Sequence, residues 1–149
     1  APNDYAASCF KQYGMNTDNT GQFSAMYKPF HLIGMELNIS IFSAALLKQP
    51  TGQTKNFSGD VVATAKRSLK KGEILDGEGG ATVWGKLIPS KTSLMTNSLP
   101  IGLAHGIKLN KNIEADQIIK WSDVEYALND PTISYRKSME QEFKFLLDE

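Results

Sequence analysis

Two ten-residue segments share one pattern of apolar and polar positions, and this pattern decides how the chain is interpreted. The first is Lys66-Arg67-Ser68-Leu69-Lys70-Lys71-Gly72-Glu73-Ile74-Leu75, and a displacement of 44 positions places it over Asn110-Lys111-Asn112-Ile113-Glu114-Ala115-Asp116-Gln117-Ile118-Ile119. The pattern of each copy is typical of a strand, a tight polar turn and a short apolar segment that runs back along the strand. Two copies are too few for a solenoid and instead predict an approximate duplication within one compact β module. Chance similarity is the alternative.

Strand-like sequence surrounds the two copies. Val61 to Ala65 is rich in small and β-branched residues, and Thr82 to Ile88 is a second such run that ends at Pro89. The polar segment from Ser90 to Ser98 is predicted to be a loop. We therefore expect a β-rich module over residues 60–128, which begins after the proline- and glycine-containing stretch from Lys48 to Gly59.

The segment before this module, residues 1–59, is predicted to contain a loop and one helix. Residues 1–28 are polar and are interpreted as mostly loop. From Leu32 to Leu47, apolar residues recur at helical spacing, but between Ile33 and Ile41 they also alternate as in a strand. The length of the pattern favours a helix.

A terminal helix is predicted over residues 129–149. Asp130 and Pro131 form a favourable helix start, because an aspartate accepts free amide hydrogens and a proline suits the first turn. The expected apolar stripe consists of Tyr135, Met139, Phe143 and Leu146, with Arg136, Lys137, Glu140 and Glu142 on the solvent face.

Composition excludes several classes of protein. Sixteen basic and sixteen acidic residues give a formal net charge of zero, so a general attraction to nucleic acid or membrane is not expected. The apolar stretch from Leu32 to Leu47 is too short to span a bilayer. A single cysteine, Cys9, and the lack of a secretion signal favour a reducing, cytoplasmic location. A first residue other than methionine is expected of an internal or processed segment.

The local sequence patterns contain few candidate catalytic or ligand-binding groups. Asp76-Gly77-Glu78-Gly79-Gly80 is either an anion-binding glycine loop or a tight turn, and the turn is favoured because the phosphate-loop pattern is incomplete. The cationic cluster Lys66, Arg67, Lys70 and Lys71 is expected to be solvated. His31 and Glu36 would lie about 140° apart on a helix, and two histidines are too few for a common zinc site.

Several segments resemble the SAF domain, a small β-clip module, as it occurs in homoserine-dehydrogenase-like NAD(P)-dependent oxidoreductases, including relatives similar to deoxyxylulose-phosphate reductoisomerase. The similar segments are 65–80, Val83-Trp84-Gly85-Lys86-Leu87, Leu99-Pro100-Ile101-Gly102-Leu103-Ala104-His105-Gly106, 118–124 and, upstream, Tyr27-Lys28-Pro29-Phe30-His31-Leu32-Ile33-Gly34-Met35-Glu36. The resemblance implies an α+β fold with a β-clip module at 60–128 between an N-terminal helical segment and a C-terminal helix.

The resemblance also implies a function. This chain corresponds to the last third of such enzymes, in which N-terminal Rossmann and catalytic domains of the same polypeptide bind NAD or NADP. It would contribute contacts to a small-molecule substrate or within a homo-oligomer, with His31, His105 and Lys86 as candidate catalytic residues. The chain has no Gly-x-Gly-x-x-Gly turn, so it is expected to bind no cofactor and to be inactive alone. A free-standing module that binds a carbohydrate or other small ligand is the alternative, and a self-contained lyase is the third.

Overall fold

The computed structural model describes residues 1–147, so Asp148 and Glu149, the end of the predicted terminal helix, lie outside the described residues. The chain divides into two compact units, Ala1–Gln53 and Thr54–Glu149. The division falls inside the proline- and glycine-containing stretch that follows Lys48.

The first unit begins with helix α1, Asp4–Gln12, where the sequence had predicted mostly loop. The prediction holds for residues 13–28 and missed α1, which Asn3 starts as an N-cap: its side-chain oxygen accepts a hydrogen bond from the backbone N–H of Ala6 at 2.9 Å. The rest of the predicted loop contains a single β-bridge, between Thr17 and Ser24.

Helix α2, Ile33–Phe42, continues as a π-helical turn, Ser43–Leu47, and ends at Lys48 in the left-handed conformation. The helical alternative is therefore confirmed over the strand. None of the residues in α2 or the π-helical turn is buried, and the exposed large apolar side chains are Ile33, Met35, Leu37, Ile39, Ile41, Phe42, Leu46 and Leu47.

Between residues 54 and 147, the second unit is built on five strands. They are β1, Gly59–Ala65; β2, Ile74–Asp76; β3, Val83–Pro89; β4, His105–Leu109; and β5, Val124–Glu125. Antiparallel pairing produces a two-stranded sheet, β1-β3, and a three-stranded sheet in the order β2-β4-β5. Both predicted strands, near Val61–Ala65 and Thr82–Ile88, are present as β1 and β3.

The two repeat copies pair with each other around an approximate twofold relation. At its centre, Leu69 and Ile113 exchange both backbone hydrogen bonds, at 2.8 and 2.9 Å. The flanking hydrogen bonds are related by the same displacement of 44 positions. The N–H of Gly72 donates to the carbonyl of Leu109 at 2.8 Å. In the equivalent bond, the N–H of Asp116, the counterpart of Gly72, donates to the carbonyl of Ala65, the counterpart of Leu109, at 2.9 Å. The predicted duplication is therefore present in the backbone.

The turns of the two copies are also equivalent. Glu73 accepts a hydrogen bond from the backbone N–H three residues earlier at 3.1 Å, and Gln117 does the same in the second copy at 3.2 Å. Gly72 and Asp116, at matching positions, both have positive φ, +86° and +63°. The small size of glycine and the short polar side chain of aspartate make them suitable for this conformation.

The hydrophobic core of the second unit combines both copies with the flanking strands. Its members are Ala63, Ala65, Leu69, Leu75, Val83, Leu99, Ala104, Ile107, Leu109, Ile113, Ile119, Trp121, Val124 and Ile133. Of the apolar positions that coincide in the repeat, Leu69 with Ile113 and Leu75 with Ile119 are fully or almost fully buried, whereas Ile74 is 61% exposed and its counterpart Ile118 is partly buried. The repeat therefore supplies the centre of the core.

Helix α3, Ser90–Thr96, occupies the segment that was predicted to be a polar loop, so that prediction was wrong. Its polar residues Ser90 and Ser93 are buried, because the helix lies against β1 and β3. The helix ends at Asn97, which adopts the left-handed conformation.

Helix α4, Pro131–Glu142, begins as predicted at an Asp130 cap, but the predicted apolar stripe holds only in part, since Met139, Phe143 and Leu146 are partly buried and Tyr135 is not. Tyr135 is 80% exposed, whereas the side chain of Arg136 is only 14% exposed. Burial of Lys137 lowers the pKa of its ammonium group, and hydrogen bonding to Glu140 opposes that effect. The helix therefore packs partly through charged residues that the sequence had placed in solvent.

A buried polar network attaches α4 to the start of β1. Arg136 Nη2 and Nη1 lie 2.6 and 3.3 Å from the two carboxylate oxygens of Asp60, which also accepts from Ser93 Oγ at 2.5 Å. Glu140 Oε1 accepts from Arg136 Nε at 2.8 Å and from Trp121 Nε1 at 3.1 Å. Desolvation would lower the pKa of Arg136, but its bonds to Asp60 and Glu140 outweigh it and raise that pKa.

The fold class is α+β, with a β-rich module between N-terminal and C-terminal helices, as the sequence predicted. Within residues 1–147, no helix has the length and apolar character needed to cross a bilayer.

Candidate functional site

An open cleft of about 340 Å³ lies beside strands β4 and β5 and the start of α4. The side chains that define its chemistry are His105, Glu125, Tyr126, Asp130 and Thr132, with Leu103 and Ile107 among the apolar lining residues. One of the three predicted catalytic residues, His105, is therefore located in a cleft of the second unit.

The ring of His105 is held in one tautomer by the backbone. Its Nδ1 lies 3.0 Å from the carbonyl oxygen of Asp76, the residue opposite it in the β2-β4 pairing. Because a carbonyl oxygen can only accept, Nδ1 carries the proton, and in the neutral ring Nε2 then has the free lone pair. Among residues 1–147, Nε2 has no hydrogen-bond partner, so it is available to accept from a ligand.

The pairing of β2 with β4 is irregular at this point, because the register shifts between Ile74 and Asp76. Such bulges redirect side chains and are common beside functional sites. Gly77 follows with φ +74°, and a Cβ there would lie 2.9 Å from the Cβ of His105. A glycine at this position is therefore what allows the loop to pack against the histidine.

The loop from Asp76 to Gly80 is a tight turn that is closed by its own carboxylate. Asp76 accepts from the backbone N–H of Ala81 at 2.6 Å, from that of Thr82 at 3.0 Å, and from the Thr82 hydroxyl. These hydrogen bonds, the Thr82 hydroxyl first, lower the pKa of Asp76 to about 2. The carboxylate of Asp76 closes the loop, the N–H of Gly80 is bonded to the carbonyl of Gly77 at 3.3 Å, and the negative charge would repel an external anion, which favours the tight turn over an anion-binding loop.

The cationic cluster beside this loop is partly used within the fold. Arg67 forms an ion pair with Glu73, and this hydrogen bond raises the pKa of the Arg67 guanidinium. Lys66 donates to the backbone carbonyl of Gly80. All four cationic residues are exposed, in agreement with the expectation that these charges are solvated.

Two carboxylates line the cleft beside His105. Glu125 forms an exposed ion pair with Lys108 at 3.3 Å. Asp130 Oδ1 accepts from the backbone N–H groups of Thr132 and Ile133, at 2.8 and 3.2 Å. The sequence pattern indicated Asp130 only as a helix cap and gave no signal for Glu125, because their common position at the edge of β5 and α4 depends on the fold.

His31 lies in the first unit, next to the start of α2. Its Nδ1 is 2.6 Å from Glu36 Oε2, although the sequence had placed the two side chains on different faces of a helix. That prediction was wrong because the helix begins at Ile33, so His31 precedes it and can fold back. Glu36 also accepts from Lys28, and this bond is the main cause that lowers the pKa of the carboxyl.

Lys86 is exposed on β3, opposite Val62 of β1. This places it in the β1-β3 sheet, whereas His105 belongs to the β2-β4-β5 sheet, and Lys86 does not line the His105 cleft. Across the described part of the chain, no group of three or more histidine, cysteine, aspartate or glutamate side chains is arranged to hold a metal ion.

Comparison with known families assigns the strand-rich segment. The sequence model of the SAF domain matches residues 60–125, which run from the second residue of β1 to the end of β5 and include His105, Glu125 and the paired repeat. No curated protein matches the chain. Residues 60–125 of this chain are therefore a SAF domain.

Proposed function

We propose that this chain is the SAF-bearing, C-terminal part of an NAD(P)-dependent oxidoreductase resembling homoserine dehydrogenase. In this proposal it supplies contacts to the substrate or between subunits, and the coenzyme is held by an N-terminal domain of the same polypeptide. The resemblance of residues 27–36 and 99–106 to such enzymes supports this assignment, and the SAF domain lies where that resemblance expects it.

The observation that carries the proposal is the apolar surface of α2. At about 100° per residue, Ile33, Leu37 and Ile41 lie on one side of the helix, and Met35, Ile39 and Phe42 lie on the opposite side. All six are exposed. A helix that is apolar on both sides is typical of a protein core, whereas a single docked partner would cover one side. Further polypeptide of the same protein could cover both apolar sides of α2.

The second line of support concerns the coenzyme. A dinucleotide site needs a glycine turn that brings backbone N–H groups to the pyrophosphate at a helix start. The sequence has no Gly-x-Gly-x-x-Gly turn, and the glycine loop at Asp76 is closed by its own carboxylate, whose charge would repel a pyrophosphate. Coenzyme binding is therefore assigned to another domain.

Calorimetric titration with NADH and NADPH tests this proposal on two proteins: this chain, and a polypeptide that joins it to its upstream coding sequence. We expect no saturable binding by this chain and a dissociation constant in roughly the micromolar range, about −8 kcal/mol, for the longer protein. Hydrogen exchange should show amides of residues 33–47 that are protected only in the longer protein. Micromolar binding by this chain, or equal protection of α2 in both proteins, would contradict the proposal.

A free-standing small-ligand-binding SAF module is the second candidate, and the cleft at His105 favours it. It predicts a chain that is monomeric and stable alone, with α2 protected without further sequence. The same hydrogen-exchange measurement therefore distinguishes the two candidates.

A further inference from the structure

In the cleft beside His105, the position that could bind an anion is occupied by the carboxylate of Asp130. The start of α4 would be the natural place for an anion, because its first N–H groups point outward. Two of these groups are bonded to Asp130 Oδ1. An anionic ligand would have to displace this carboxylate or lie against it.

The remaining polar groups of the cleft are mainly hydrogen-bond acceptors. His105 Nε2 offers a lone pair, because the bond from Nδ1 to Asp76 fixes the tautomer. Glu125 and Asp130 supply carboxylate oxygens, and Tyr126 and Thr132 supply hydroxyl groups that adapt to either role. Among residues 1–147, no lysine or arginine lines the cleft. Lys108 contacts both carboxylate oxygens of Glu125 at 3.3 Å in an exposed pair, so an ammonium ligand would share or displace this contact, whereas an anion would meet the carboxylates of Glu125 and Asp130.

We infer that this cleft binds a small organic cation whose ammonium group donates hydrogen bonds to His105 Nε2 and to the carboxylate of Glu125. The assignment of this cation as a substrate group rests on the substrate-side role proposed above, whereas the binding itself is a property of the cleft. A positioning role falls to Asp76, because its backbone carbonyl sets the tautomer of His105 and its carboxylate closes the loop.

Three probes of matched size test the charge preference: propylammonium, 1-propanol and propionate. Each is titrated into the ¹⁵N-labelled chain to about 100 mM, a ceiling that detects interactions of about −1.4 kcal/mol. We expect propylammonium to produce saturable shifts of the amides of Gly106, Glu125 and Tyr126, and the other two probes to produce none there.

Two substitutions test the assigned contacts. Glu125→Gln and His105→Phe should each weaken propylammonium binding by at least about tenfold, because the first removes the charge of one acceptor and the second removes the other acceptor altogether. Glu114→Gln, at an exposed acidic residue outside the cleft, is the control and should leave binding unchanged. If His105→Phe changes the spectrum beyond the cleft, His105→Gln is the second variant. Its amide oxygen can still accept a hydrogen bond, so His105→Gln should bind propylammonium more tightly than His105→Phe does.

Propionate shifts that equal those of propylammonium would overturn the inference, as would the absence of saturable shifts at these three amides or unchanged affinity in Glu125→Gln. These outcomes are independent of the coenzyme titration. If propylammonium does not bind, the oxidoreductase assignment is unaffected. If this chain binds the coenzyme, the inference of a cation site is unaffected.

Discussion

Replacing Arg136 with methionine removes the counter-ion of a buried carboxylate. Asp60 is 7% exposed, and of the side-chain hydrogen bonds that its carboxylate makes within residues 1–147 it would retain only the one from Ser93. Breaking a buried pair in this way costs about 3–5 kcal/mol, because the remaining charge is desolvated without compensation. For a domain with a free energy of unfolding of about 5–15 kcal/mol, this is a large loss.

Urea unfolding followed by tryptophan fluorescence measures this loss, since both tryptophans, Trp84 and Trp121, belong to the second unit. With an m-value of about 1.5–2 kcal/mol/M, we expect the midpoint to fall by roughly 2 M. Lys108→Met is the control, because its ion pair with Glu125 has side chains that are 50% and 53% exposed and should contribute at most about 1 kcal/mol.

A double variant isolates the interaction between the two charges. Asp60→Asn combined with Arg136→Met should recover much of the stability, because an uncharged amide needs no counter-ion and still accepts from Ser93. A loss of about 1 kcal/mol or less for Arg136→Met, no greater than that of Lys108→Met, would refute the reasoning. Additive effects of the two substitutions at the buried pair would refute it as well.

Three further perturbations test the loop and the core. Gly80→Ala should destabilise the protein by about 1–3 kcal/mol in thermal melts, because a Cβ would overlap the Asp76 carboxylate. Gly102→Ala is the control and should be tolerated, because outside its own helical turn no atom of residues 1–147 lies within 4 Å of the added Cβ. Thr64→Val should stabilise by about 1 kcal/mol, because its hydroxyl is fully buried without a partner among the described residues; Thr82→Val should destabilise, since its hydroxyl bonds Asp76. The depressed pKa of Asp76, about 2 against the ordinary 3.8, means that its stabilisation is present above the unfolded pKa and lost as pH falls toward 2. Melting temperatures between about pH 2 and 5 should therefore fall less steeply in Asp76→Asn than in the parent chain.

The parts of the fold that the sequence predicted are those with a periodic or duplicated pattern. The coincidence of Leu69 with Ile113 indicated a paired module, and the structure joins these two residues by reciprocal hydrogen bonds. Helix α2 was predicted by length where its periodicity was ambiguous. Both patterns extend over many residues, so local exceptions did not hide them.

The missed elements depend on single side chains or on tertiary packing. Asn3 starts α1 through one hydrogen bond within an otherwise polar segment. Arg136 was assigned to solvent because charged residues usually lie there, and only the approach of Asp60, 76 positions away, makes its burial favourable. The prediction of His105 came from resemblance, whereas its tautomer and its neighbour Glu125 required the β2-β4-β5 sheet.

The paired repeat also has a consequence for synthesis of the chain. Each hydrogen bond between the copies joins residues tens of positions apart, so the first copy has no partner until the second has been made. At about 5–20 residues per second, the 44 intervening positions take roughly 2–9 s. During this interval the strand-forming first copy has unpaired backbone groups, which favour aggregation. We expect the four cations at Lys66, Arg67, Lys70 and Lys71 to limit that aggregation through charge repulsion between nascent chains.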